Sequence, residues 1–395
     1  MGTKSNRKRL RQLCEAFVTQ ALRLPEWGNY ECVKALPEFQ AVYAFAEREG
    51  LVAKIGIEKS DADGKPVPAD AADLWQLYLL PLAARCSKAS FGEIYPLLEE
   101  SLYVDHATWQ IVAPLPGLIA QGGSVELPNG VAIRQLTASE KEYLDKLQES
   151  IGFGEAIALG LLDVNFTMSC RKQLAKGGPA QGGLGDDDFR TVVTALRLLK
   201  DGAVWYNVEA QWVEHPPFGT LFSAGQAHSG WSSKPSVYGP AYELLEVEVE
   251  PLKKLVRRLP NAGRHRRLQV ALGRFNVVYE RSRSEDKLVD LWIALESLFL
   301  KRGEQMELSY RAALRIARFL GEGPGQRVEL FETMKKSYNA RSRVVHGDPP
   351  PRDIAHTTAF TEEALRKALR SSILSGSGPD LDKLDRDAVR ADVKE

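Results

Sequence analysis

The run Tyr338-Asn339-Ala340-Arg341-Ser342-Arg343-Val344-Val345-His346-Gly347 carries the most pointed chemistry in this 395-residue chain. Arg341 is a fixed cation. His346 brings an imidazole, which can carry or release a proton, and stands directly before a glycine suited to ending a helix. Such a cation can neutralise charge developing on a phosphorane, and such an imidazole can move the proton of a 2′-hydroxyl or of a leaving group. Together they are the minimum equipment for cleaving RNA without a metal. On one helix, however, five residues advance the chain by about 500°, which leaves the two side chains about 140° apart. They cannot converge on one atom from a single straight helix. A bend, or a second copy of the helix across a two-fold axis, must complete the site. Ser342, four residues before His346, shares its face and could orient the imidazole. A plainer role also exists for each group. An imidazolium complements the dipole at a helix C-terminus, and arginines commonly decorate a solvated helix surface.

Other residues bear on that motif. Leu291-Trp292-Ile293-Ala294-Leu295-Glu296-Ser297-Leu298-Phe299 is apolar nearly all round, so its helix should be buried. Glu296 is then a buried or half-buried carboxylate that needs a partner. A motif arginine could be that partner and would have its direction fixed; an ordinary structural ion pair is the alternative. In Tyr310-Arg311-Ala312-Ala313-Leu314-Arg315-Ile316-Ala317-Arg318 the arginines recur at intervals of four and three, on one helix face. Arg311, Arg315 and Arg318 could track a phosphate backbone, with Arg343 adding a further cation, or could simply form a solvated face. Asn339, like Ser342, is a supporting polar group beside Arg341.

The elements that must position these groups divide into two styles. The first hundred or so residues read as mainly helical, with apolar residues at helical spacing over 10–24 and 74–88 and a polar loop near 60–68. A hairpin is expected over 124–134 around Pro128-Asn129-Gly130, leading into a capping-box pattern at Thr137-Ala138-Ser139-Glu140. A glycine- and acid-rich loop (176–188) precedes a helix from Phe189 to about Lys200 and a strand over 204–213. A polar, Gly/Ser/Pro-rich stretch (218–240) precedes a strand over 242–250 that Pro251 closes. After Pro251 every segment reads as helix, over 252–259, 266–280, 286–301, 308–320, 327–346 and 361–374. The expected class is α+β, with a mixed region 1–250 (sub-boundary near 110), an all-α domain 251–375 and a disordered charged tail 376–395.

Composition excludes several readings. Lysine plus arginine and aspartate plus glutamate both number 52, so net charge names no partner. Basic residues do concentrate over 253–283. No apolar run is long enough to span a membrane, and the basic N-terminus lacks the apolar stretch of a signal peptide. Four cysteines without paired spacing fit a reducing cytoplasm and support no zinc site. No phosphate-binding loop, dinucleotide fingerprint, HExxH or GxSxG occurs, and no cofactor is expected.

Three blocks in order carry a resemblance: Asp290-Leu291-Trp292-Ile293-Ala294-Leu295-Glu296-Ser297-Leu298-Phe299, the arginine-rich helix after it, and the run Tyr338 to Gly347. Over roughly residues 274–374, about a quarter of the chain, the sequence resembles the HEPN superfamily and within it the ApeA-like branch. Val112-Ala113-Pro114-Leu115-Pro116-Gly117-Leu118 with the hairpin after it is similar to the part found ahead of such domains. The resemblance implies an all-α bundle and a metal-independent endoribonuclease acting as a homodimer, often in toxin–antitoxin or anti-phage systems. It places the family's motif arginine on Arg341 and its histidine on His346. Many members carry Asn, Asp or His after the arginine, where this chain has Ser342. The partners implied are RNA, a second copy and a protein trigger or inhibitor, with no membrane. Some members bind RNA or nucleotides without cutting, so the alternative is a non-catalytic RNA- or nucleotide-binding module whose N-terminal region binds a partner.

Overall fold

The computed structural model describes residues 4–54, 59–60, 66–151, 164–175, 185–215 and 241–391 of an α+β protein. The chain opens with helices α1 (Lys4–Ala21), α2 (Tyr30–Val33) and α3 (Pro37–Arg48). A two-residue pair, β1 (Lys59–Ser60) with β2 (Pro66–Val67), precedes α4 (Ala71–Leu74), α5 (Leu80–Cys86) and α6 (Phe91–Tyr103). Next come β3 (His106–Pro114), β4 (Leu118–Ala120), β5 (Ser124–Glu126), β6 (Ala132–Gln135), α7 (Ala138–Ile151), β7 (Phe166–Ala175), α8 (Asp186–Leu199), β8 (Ala210–His215) and β9 (Tyr242–Leu244). The rest is helical: α9 (Val249–Ala262), α10 (Arg266–Val278), α11 (Ser284–Phe299), α12 (Leu308–Leu320), α13 (Pro324–His346), α14 (Ile354–Ser375) and α15 (Leu381–Ala391).

Two compact units result, each assembled from three stretches of chain. The first takes residues 1–113, 169–186 and 208–230. Its core is helical, with Leu10, Cys14, Phe17 and Val18 of α1 at spacings of three and four. Phe17, Phe39 and Trp75 meet edge to face with centroids 6.0–6.3 Å apart. A π turn over Trp75–Leu79 widens the helix ahead of Pro81, whose ring would otherwise collide with the carbonyl four residues back. Within the same unit β3 runs antiparallel to β8.

The second unit takes residues 114–168, 187–207 and 231–395, so the helices after residue 250 share it with earlier segments. The expected hairpin is there, with Val125 opposite Ile133 and Gly130 at φ 80, a left-handed turn position. The capping box holds too: the Glu140 carboxylate accepts from the Thr137 N–H at 2.8 Å and is clamped by both Nη atoms of Arg134. α11 is the centre of the bundle. It packs on α10, α13 and α14 and buries Leu288, Leu291, Trp292, Ala294, Leu295, Leu298 and Phe299, as an all-round apolar helix must.

Three expectations are corrected. Only Ala210–His215 of the 204–213 strand pairs as strand, because the Val204 carbonyl accepts from Arg197 Nε at 3.2 Å and is diverted from any ladder. The strand over 242–250 ends at Leu244, and Pro251 lies in the first turn of α9 instead of closing a strand. Its missing N–H is harmless there, since those amides have no intrahelical acceptor. The charged tail is not disordered along its length: Leu381–Ala391 forms α15, which packs on α12 with Leu381 buried. The expected loop over 218–240 lies outside the described residues, as do 61–65 of the loop near 60–68 and 176–184 of the loop over 176–188.

Candidate active site

Positioning begins with a buried hydrogen-bond chain. Trp292 Nε1 on α11 donates to Ser337 Oγ on α13 at 2.9 Å, and that hydroxyl meets Thr361 Oγ1 on α14 at 2.6 Å. Thr361 in turn donates to the Thr357 carbonyl. Every polar atom in this chain is satisfied away from water, so α13 is locked in rotation and height against two neighbours. Tyr338 then lands edge-on against Trp292, centroids 4.9 Å apart, and Arg341 comes to the same side one turn later.

Arg341 Nη2 lies 3.6 Å from Glu296 Oε2, an ion pair between side chains that are 21% and 25% exposed. The partnership expected for Glu296 is therefore present, and the carboxylate is half-buried. The guanidinium also sits 5.7 Å from the Tyr338 ring centroid. Burial, and then the Glu296 charge, push the Tyr338 phenol up from its ordinary value. Arg341 Nε is buried and has no hydrogen-bond partner among the described residues. This arginine is aimed by its surroundings yet not saturated by them.

His346 is exposed at the opposite end of the motif, as its angular offset requires. Gly347 (φ 82) ends the helix. Its N–H donates to the Val344 carbonyl, and the Asp348 N–H reaches back to the Arg343 carbonyl at 2.9 Å. This doubled closure holds the last turn firm beneath the imidazole. Ser342 is half-buried and makes no hydrogen bond to His346, and Asn339 and Arg343 are exposed. α13 runs unbroken from Pro324 to His346, so within one chain nothing bends Arg341 and His346 together.

The arginine row on α12 is a different matter. Arg315 was expected to face phosphate; it is 1% exposed and enclosed by carboxylates. Both Nη atoms donate to Glu304 at 2.8 Å, and Nε and Nη2 donate to Asp385 of α15 at 2.7 and 2.9 Å. Arg318 donates to the Asp387 and Ala388 carbonyls, and Arg311 stands 3.5 Å from Glu304. Arg315 and Arg318 are the dock for α15. In the basic 253–283 region, Arg274 and Arg281 likewise converge on buried Asp290, at 2.9 and 2.8 Å.

Sequence reasoning missed Tyr338 and the Trp292–Ser337–Thr361 chain. The available signal was spacing: Ser337, Tyr338 and Arg341 recur at intervals of one, three and four on the side of α13 that faces α11. Among the described residues no three Cys, His, Asp or Glu side chains gather as a metal site would need, and no helix is long and apolar enough to cross a membrane. Comparisons with protein-family models, curated proteins and solved structures return no match.

Proposed function

We propose that the chain is a metal-independent endoribonuclease of HEPN type, acting in the cytoplasm in a bacterial defence or toxin-like role. The observation that carries this reading is Arg341, held by Glu296 with an unsatisfied Nε, on the same rigid helix as the exposed His346. In the reaction, the 2′-oxygen of the substrate attacks the adjacent phosphorus. The bond to the 5′-oxygen breaks, leaving a 2′,3′-cyclic phosphate and a 5′-hydroxyl. The imidazole accepts the 2′ proton or, protonated, supplies one to the departing oxygen, and Arg341 stabilises the charge on the phosphorane. The helical offset of about 140° means that a second copy of the chain completes the site, so the active species is a homodimer. Residues 1–250 would hold the nuclease quiet until a protein trigger engages them.

The test is digestion of RNA in excess EDTA by the wild type, Arg341→Ala and His346→Ala, with DNA as a control lacking the 2′-hydroxyl. Cleavage of RNA alone, lost in both variants, is the expected result. Undiminished cleavage by both variants, or a strict need for magnesium, rejects the mechanism. RNA binding that survives both substitutions with no cleavage at any enzyme concentration marks a binding module instead.

A further inference from the structure

The second unit contains a cavity of about 340 Å³, away from the groups of the motif. Helix α8 forms one wall, α10 and its last turn form the second, and Trp205-Tyr206-Asn207 form the third. The volume is at the lower end of that found for small-molecule sites, about 300–1,000 Å³. Trp205, Tyr206 and Tyr279 supply ring surface, and the polar groups converge on one spot around Arg197.

Arg197 is unusual in this protein. Its Nε donates to the Val204 carbonyl, its Nη1 donates to Asn276 Oδ1 at 3.3 Å, and its Cζ lies 4.2 Å from the Tyr279 ring centroid. These are neutral partners. Nη2 makes no hydrogen bond among the described residues and is not sealed from the cavity. Two other deeply placed arginines of the same unit are treated differently. Arg315 has Glu304 and Asp385, and Arg366 has Glu362, Glu363 and Asp201. Arg197 forms no ion pair among the described residues, although Glu280 lines the same cavity. Burial pushes the guanidinium below its ordinary value, although Tyr279, Glu280 and Glu362 pull the other way without contacting it as an ion pair. An oxyanion placed at Nη2 would give it a direct counter-ion, through a charge-assisted hydrogen bond in a partly dry site.

Two further features keep the space open. Asn276 is held by Thr194, with Nδ2 donating to Oγ1 at 3.0 Å, which ties α8 to α10 across the cavity floor. Gly273 sits in the middle of α10, where glycine costs about 1 kcal/mol relative to alanine. A Cβ built there meets no atom within 4 Å, so no packing demand explains the glycine. It is exposed and is one of the residues that line the cavity.

We propose that this cavity binds a small aromatic anion, a flat ring carrying one carboxylate or phosphate. The oxyanion meets Arg197 and the ring stacks among Trp205, Tyr206 and Tyr279. The site stands independently of the ribonuclease reading.

The test is calorimetric titration of the full-length protein with naphthoate, naphthyl phosphate and uncharged naphthol. At least one anion is expected to bind about tenfold or more tightly than naphthol, and the two anions identify which oxyanion is preferred. Arg197→Met should remove that preference while leaving naphthol binding unchanged. Gly273→Leu, which fills space and suits a helix, should abolish binding of all three probes while the melting temperature holds or rises. Equal binding of anion and naphthol, no binding of either anion, or unaltered anion binding by folded Gly273→Leu protein each overturns the proposal.

Discussion

Arg315 and Arg341 lie on adjacent helices of one unit, α12 and α13, and each faces a glutamate, yet their surroundings differ sharply. Arg315 is enclosed: two carboxylates and the Phe299 carbonyl accept from its donors at 2.7–2.9 Å. Arg341 has one carboxylate at 3.6 Å and a buried Nε without a partner. A saturated guanidinium has nothing left to offer a substrate and serves as a bolt for α15. Arg341 is only partly engaged, and its side chain is 21% exposed, so its outer nitrogens keep access to solvent. The contrast separates an arginine enclosed by carboxylates from one that is not, where residue type and spacing cannot.

The comparison breaks most sharply in kinetics. His346→Ala and Arg341→Ala should each lower RNA cleavage in EDTA by roughly 10²–10⁴-fold, with the melting temperature unchanged in His346→Ala and lowered by the loss of about 1 kcal/mol or less in Arg341→Ala. Arg315→Met should do the reverse, lowering stability by about 3 kcal/mol in urea titration while the surviving folded protein cleaves at the wild-type rate. An arginine row working as an RNA track would instead show weakened RNA binding in Arg315→Met protein of normal stability. Glu296→Gln should fall between the two. Its half-exposed ion pair is worth about 1 kcal/mol or less to stability. Loss of aim at Arg341 should nonetheless reduce cleavage about tenfold.

The smallest effect concerns pH. Hydrogen bonds from Arg315 depress both Glu304 and Asp385 to about 2. Both folded values lie under the unfolded ones of about 4.3 and 3.9. Their contribution is therefore complete above that range and fades as pH falls toward 2. The difference in melting temperature between the wild type and Asp385→Asn should be present at neutral pH and vanish near pH 2. No difference at neutral pH would mean that α15 is held by packing alone, and one that persists unchanged into acid would mean that the charge on Asp385 contributes nothing.

Much of this was legible in residue order. The hairpin, the Thr137–Glu140 box, the buried α11 helix and the Gly347 stop each follow from local rules acting over a few residues. The pairing of Glu296 with the motif followed from the cost of leaving a carboxylate unpaired in an apolar helix. The loss of strand ahead of Ala210 turns on Arg197, seven residues before the Val204 carbonyl that it takes. Two other features were not legible, for one shared reason. The fate of Arg315 and the helix at 381–391 each depend on a partner far away in sequence. Asp385 lies 70 residues from Arg315, and local spacing carries no record of such a partner.

By itself, the sequence determined the periodicity, the turns, the helix stops and the angular offset of Arg341 from His346, because these depend on backbone geometry alone. Tertiary structure decided which arginines keep free donors. The three arginines on α12 look alike until α15 engages Arg315 and Arg318, and Arg197 looks ordinary until its direct partners prove to be neutral. The energy of a charge depends on its nearest counter-charge and its access to water, and both are properties of the folded chain.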